Sequence, residues 1–248
     1  MRALIVRPQP TAIELCNALN NIGVVSEYCP VVSFQKSALS DNQLQHLYQS
    51  EIIIGVSQPA VHFTHEILSD KAKKWPQHSQ YLAVGTKTAS YLQSYSQQTV
   101  HSPRSEDSEG LLKLLFLKSL KNKKVSILRG DSGRELLFNQ LQQFGADVAY
   151  IESYTRQWIS FDGHRLSLQW QASEIDTLIV TSYEQLKFFA QQIPNQHKNW
   201  LHSLKLMVPS ERVAQLALQL GFIQTCNIKG ASNQTIMNSI QGELHRKI

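Results

Sequence analysis

LIVRPQPTAIELCNALNNIG, residues 4–23, and SILRGDSGRELLFNQLQQFG, residues 126–145, decide how this chain is read. Each opens on a short apolar run and turns at an arginine, Arg7 or Arg129. Each then places apolar residues at helical spacing and stops at a glycine, Gly23 or Gly145. Short apolar runs read as buried strands, and apolar residues three and four apart read as one helix face. Over Thr11–Ile22 that face is Ala12, Leu15, Leu19 and Ile22; over residues 132–144 it is Leu137, Leu141 and Phe144. Thr11-x-x-Glu14 and Ser132-x-x-Glu135 have capping-box spacing at the expected helix starts. A glycine just past the last helical residue is a frequent stop. The two arginines are 122 positions apart, and so are the two glycines.

A second match lies outward from these stretches. Val56-Ser57 corresponds to Thr181-Ser182, and GTKTA at 85–89 corresponds to SERVA at 210–214, both 125 positions apart. Repeated offsets in separated blocks point to a tandem duplication. Further apolar, β-branched runs fall at Val24–Tyr28, Ile52–Val56, Tyr81–Val84, Thr99–His101, Val125–Leu128, Val148–Ile151, Thr177–Thr181, Leu204–Val208 and Gln224–Ile228. Helical patterns follow most of them. Strand and helix alternating at this spacing give parallel sheets with helices on both faces, an α/β fold. A simple cut near residue 122 yields two domains. The extended stretches Val24–Phe34 and Val148–Trp158, however, are each about twice a usual strand of roughly five to six residues. If both cross between sheets, the domains interleave: 1–33 with 159–248, and 36–155, with 34–35 and 156–158 as linkers. Composition does not choose between the two cuts.

Composition excludes several classes. The 248 residues are 42% hydrophobic and only 17% charged, a globular balance with room for a large core. Lys+Arg exceeds Asp+Glu by 24 to 19, a formal charge of +5. The densest basic group, Lys118, Lys121, Lys123 and Lys124, has no aromatic RNA-binding motif beside it and reads as a solvated face. Nucleic acid is therefore not expected as a partner, while an anionic small molecule is compatible. Cys16, Cys29 and Cys226 are scattered, which fits a reducing compartment rather than a disulfide framework. No run approaches a signal core or the roughly 20 apolar residues of a membrane span, so a cytoplasmic protein is expected. His62-x-x-His65 puts two imidazoles on one helical face without a third ligand, and reads as a surface or core pair rather than a metal site.

Nucleotide loops, GxSxG and HExxH are all missing. What remains is a set of strand-to-helix turns, where open parallel sheets bind ligands. Arg7-Pro8, Ser57-Gln58, Gly85 to Thr88, Arg129-Gly130 through Arg134, Ser182 and Ser210 to Arg212 combine hydroxyls, glycines and cations with helix starts. Free N–H groups and the helix dipole make such turns sites for carboxylate or phosphate, although Ser and Thr there also serve as caps. Arg7 and Arg129 end equivalent strands, where an arginine would face the ligand edge. Lys87 and Arg212 hold equivalent turn positions. Tyr154 ends the second long strand, near the expected hinge, and its phenol is a candidate general acid.

The order LIVRPQP, VSQPAVHF, AVGTKTASYL, ILRGDSGREL, ESYTR, VTSYEQL and VPSERVAQLALQLGF resembles the uroporphyrinogen-III synthase family over essentially the whole chain. The resemblance implies two flavodoxin-like domains joined by a two-stranded ladder, and so favours the interleaved cut. It implies closure of linear hydroxymethylbilane to uroporphyrinogen III with ring D inverted, without metal or organic cofactor. The implied partner is a small molecule with eight carboxylates. A monomer with transient contact to the enzyme that makes this substrate would follow. The family tyrosine corresponds to Tyr154, and the threonine of the first-domain turn to Thr88. In the second such turn, Ser210 and Val213 replace the family's glycine and threonine, leaving Val213 only its backbone N–H for a ligand. Val6-Arg7-Pro8 replaces the commoner Thr-Arg-Pro. Without the resemblance, the turns also suit a two-domain anion-binding or sensor protein that turns nothing over, although no export signal or DNA-binding appendage accompanies them, and suit less well a flavodoxin-like electron carrier.

Overall fold

The computed structural model describes residues 1–105, 107–114 and 120–245. Lys118 of the basic group lies outside them. In chain order the strands are β1 (Arg2–Val6), β2 (Val25–Tyr28), β3 (Val32–Lys36), β4 (Ile52–Gly55), β5 (Gln80–Ala83), β6 (Val100–His101), β7 (Lys124–Gly130), β8 (Asp147–Trp158), β9 (Thr177–Val180), β10 (Lys205–Val208) and β11 (Thr225–Asn227). The α-helices are α1 (Thr11–Asn21), α2 (Asp41–Gln49), α3 (Gln58–Asp70), α4 (Thr86–Ser96), α5 (Ser108–Leu112), α6 (Leu136–Gln143), α7 (Gly163–Ala172), α8 (Tyr183–Gln192), α9 (Lys198–Ser203), α10 (Glu211–Gln219) and α11 (Asn233–His245). None is long and apolar enough to cross a membrane.

The chain divides into two compact units, Met1–Ser33 with Gln157–Ile248, and Phe34–Arg156. In the first, a parallel sheet runs β11-β10-β9-β1-β2. Leu4 and Val6 face one core layer with Leu178 and Val180; Ala3 and Ile5 face the other with Ile179 and Met207. A strand covered on both faces needs apolar residues throughout, which is why TLIV at 177–180 is wholly buried. In the second unit the order is β3-β8-β7-β4-β5-β6. All but β3 pair in parallel. Strand β3 lies against β8 with Ser37 N–H on Ser153 O and Ile159 N–H on Val31 O, an antiparallel pattern. The parallel strands of both units thus follow one order, β2-β1-β9-β10-β11 and β8-β7-β4-β5-β6.

Three local expectations are corrected. Val24–Phe34 is not one long strand. Cys29 N–H makes its ladder bond to Ile5 O, and Pro30, lacking an N–H, ends the pairing before β3 starts at Val32. Residues 147–158 do form a single strand. Neither capping box closes. Pro10 precedes α1, with the Gln9–Pro10 bond cis, and the Thr11 hydroxyl donates back to Pro8 O at 2.9 Å. Ser132 is taken by Arg156 instead, and α6 begins at Leu136 rather than 132. The glycine stops do form. Gly23 and Gly145 have φ of +79° and +83°. Gly23 N–H bonds Asn20 O and Val24 N–H bonds Leu19 O, while Gly145 and Ala146 repeat this with Gln142 and Leu141. This is the Schellman arrangement.

Candidate functional site

In the second unit, Tyr154, Gly130, Ser57 and Gly85 follow one another along the carboxyl edge of the sheet, at the ends of β7, β4 and β5 and, for Tyr154, where β8 leaves its pairing with β7. Tyr154 owes its place to a bulge. Arg129 pairs with Glu152 but Gly130 pairs with Tyr154, so β8 gains a residue there. Tyr150 packs in the core layer with Leu137 and Leu141, whereas Ser153 and Tyr154 both turn to the α3 side. Bulges re-aim side chains in this way. The Tyr154 ring lies edge-on to Phe34 at 5.0 Å, contacts Phe63 at 5.7 Å and covers Gly130. The residue is 3% exposed. Its hydroxyl has no hydrogen bond among the described residues, yet is not among the fully buried unpartnered atoms. The ring is fixed and the polar atom is free.

Arg129 turns inward. Its guanidinium is buried, donates from Nε to Gly130 O at 3.0 Å and from Nη1 to Glu135 Oε1 at 3.1 Å, and lies 4.2 Å over the Tyr150 ring. Tyr150 donates its hydroxyl to Glu135 Oε2 at 2.6 Å. The hydrogen bonds from Tyr150 and Arg129 hold the Glu135 carboxyl below the usual range. Burial, then the Glu135 contact, pushes the Tyr150 phenol up to about 12. Arg134 is exposed and pairs with Glu109 at 3.1 Å. Ser57 caps α3 through Ala60 N–H, and Gln58 opens that helix half-buried. Gly85 precedes α4 with no side-chain cap. Lys87 is exposed and has no partner among the described residues, while Thr88 is buried.

The first unit carries the matching edge. Arg7 follows β1, beside half-buried Pro8. It donates Nη1 to Asn233 Oδ1, its Nε is buried without a partner among the described residues, and burial lowers its pKa. Asn233, at the start of α11, also donates to Thr11 O at 3.2 Å. Ser182 caps α8 through Gln185 N–H at 3.2 Å. Ser210 caps α10 through Val213 N–H at 3.4 Å, so the backbone donor reserved for a ligand at Val213 is already given to the cap. Arg212 is exposed and without a partner among the described residues.

A family model described as Uroporphyrinogen-III synthase HemD matches residues 14–230. The chain belongs to the uroporphyrinogen-III synthase family. The uroporphyrinogen-III synthase of Escherichia coli (strain K12) is 36% identical over 247 residues, 97% of this chain and 100% of that one. That of Salmonella typhimurium (strain LT2) is 33% identical with the same coverage. Among solved structures, a mutant uroporphyrinogen III synthase from the extremely thermophilic bacterium Thermus thermophilus has a TM-score of 0.63 at 16% identity, covering 99% of this chain and 100% of its own. The uroporphyrinogen-III synthetase of Helicobacter pylori 26695 has a TM-score of 0.61 at 16% identity, covering 98% of this chain and 99% of its own. At that identity the likeness is one of fold.

Within this member of the uroporphyrinogen-III synthase family, Phe34 and Phe63, which hold Tyr154, were not legible as site residues, and neither were Glu135 and Tyr150. Arg156, two residues past Tyr154, was also missed. It donates to Ser132 Oγ and, through its N–H, to Asp131 Oδ2 at 3.2 Å, tying the 131–132 turn to β8. His62 and His65 both have partners within the second unit. His62 contacts the Tyr95 hydroxyl at 3.2 Å and Glu66 at 3.3 Å, and His65 accepts from Trp75 Nε1 at 3.3 Å. Among the described residues no group of three or more His, Cys, Asp or Glu could hold a metal ion.

Proposed function

We propose that this protein is a uroporphyrinogen-III synthase, a lyase of haem biosynthesis that closes hydroxymethylbilane with ring D inverted. The observation that carries the assignment of chemistry to a residue is the Tyr154 hydroxyl, unpartnered among the described residues on a ring clamped at the sheet's carboxyl edge. The ring A hydroxyl leaves as water, and the proton it needs comes from the Tyr154 phenol. The azafulvene left behind is attacked by the substituted carbon of ring D. The resulting spiro-pyrrolenine fragments and recloses through the free α-carbon of ring D; the proton displaced there returns to the Tyr154 phenolate, so the net change is loss of one water.

The turns hold the substrate's carboxylates. In the second unit these are Ser57, Gln58, Gly85, Lys87, Thr88, Arg129, Gly130 and Arg134; in the first, Arg7, Pro8, Ser182, Ser210 and Arg212, with Val213 left out because its N–H serves the cap. The capping serines accept backbone N–H bonds and keep a hydroxyl proton to donate. The start of α4, where the N-cap is Gly85 and Lys87 is adjacent, is the best-suited anion site of the set. Most of the acceleration is conformational, since linear substrate closes unaided without inversion. Holding reacting ends together supplies several kcal/mol in intramolecular steps. That instability also supports direct receipt of the substrate from the enzyme producing it.

Freshly made hydroxymethylbilane, with the products oxidised and separated, tests the reading. Type III isomer is expected, and type I alone overturns it. Tyr154→Phe is expected to lower kcat about 100-fold, the usual scale for a lost general acid. Full activity would remove the acid role, and a loss of a few-fold would reduce Tyr154 to orientation.

A further inference from the structure

We infer that the recess lined by residues 132–134 receives one short carboxylate-bearing arm of the substrate, and that the Glu135 carboxylate holds the two donors meant for that arm when none is bound. The inference rests on the reading of the chain as a uroporphyrinogen-III synthase. The recess measures about 170 Å³; Val56, Val84, Ile127 and Leu137 give its apolar lining, and Arg129, Tyr150, Arg134 and Ser132 are among its polar lining. Sites for whole small molecules run to roughly 300–1,000 Å³, so this one fits an arm and not the tetrapyrrole. Val56 and Arg129 stand at the carboxyl ends of β4 and β7, the edge that also carries Tyr154.

A buried guanidinium demands an anion. The Arg129 side chain is 6% exposed, whereas that of its partner Glu135 is 55% exposed. The anion is thus brought from the solvent side by a loop residue rather than built into the core. One Glu135 oxygen takes Arg129 Nη1 and the other takes the Tyr150 hydroxyl. Those are the contacts a free carboxylate would make with the same two donors. The apolar lining suits the methylenes of an acetate or propionate arm. The Arg129–Tyr150 stacking fixes the plane of the guanidinium in advance. Exchange of the Glu135 carboxylate for that of the substrate leaves the charge balance unchanged. Substrate affinity is lowered by the fraction of time Glu135 holds the Arg129 and Tyr150 donors.

The test compares wild type with Glu135→Gln and Glu135→Ala on hydroxymethylbilane. Both variants are expected to lower KM, roughly three- to ten-fold, with kcat held within about two-fold and type III as product. If Glu135 only braced Arg129, KM would stay or rise, and that result in the folded variants overturns the inference. In an Arg129→Gln background the effect of Glu135→Gln should vanish, and its persistence also overturns it. Propionate titrated into wild type and Glu135→Gln, followed by the NMR shift of the Arg129 Nε–H, reports on the recess without turnover. Tighter binding to the variant supports the subsite, and equal binding overturns it. A wild type that forms only type I isomer would instead refute the functional reading.

Discussion

A Cβ added at Gly130 would lie 2.5 Å from Tyr154 Cζ and 2.6 Å from Cε2. No real contact is that short, so Gly130→Ala must drive the ring from between Phe34 and Phe63. The variant is expected to lose type III formation at least as fully as Tyr154→Phe. It should also be less stable by about 1–3 kcal/mol, the usual cost of overpacking. Tyr154→Phe, by contrast, removes a hydroxyl that bonds nothing among the described residues and should leave the denaturation midpoint in place. Activity and midpoint measured on the two variants separate the roles. The sequence singled out Tyr154 from its position at the end of a long strand. It held no sign of the bulge that aims it, because a one-residue shift in register leaves no mark in residue types. The arginines illustrate the same limit. Their strand-end positions suggested cations facing a ligand, yet Arg7 is held by Asn233, which is 226 positions away, and Arg129 by Glu135. Residue type fixes the charge, and only folding selects its partner.

The helix ends show where local reading succeeds and where it fails. Gly23 and Gly145 were legible because a left-handed residue at a helix stop is a strictly local need. The boxes at Thr11 and Ser132 failed because a cap competes with other partners. Pro10 starts α1 one residue early, and Arg156, from β8, captures Ser132. The two glycines differ in surroundings. A Cβ on Gly145 would sit 3.3 Å from Lys121 Cα, whereas one on Gly23 meets nothing within 4 Å. Both substitutions to alanine should destabilise by about 1–2 kcal/mol, the cost of the left-handed conformation. Gly145→Ala should cost more than Gly23→Ala, as read by urea denaturation.

At the scale of the molecule, Phe34–Arg156 is one continuous segment, while the other unit is assembled from two. Every buried residue of the two core layers around β4 and β7 lies between Leu39 and Tyr154. A fragment of residues 34–156 is therefore expected to unfold cooperatively by itself, with Trp75, its one tryptophan, as fluorescent probe. A gradual, non-cooperative transition would contradict this. Strand and helix alternation was legible because it repeats every few residues. The partnership of β1 with β9 was not, because Ala3 and Thr177 share no local signal. That partnership sets a timetable on the ribosome. The strand made first waits about 170 residues for its central neighbour, roughly ten to thirty seconds at usual rates of synthesis. Meanwhile the middle of the chain emerges complete and can fold. The apolar opening segment must then stay unpaired on one side, a natural client for a holding chaperone, until the last third of the protein arrives.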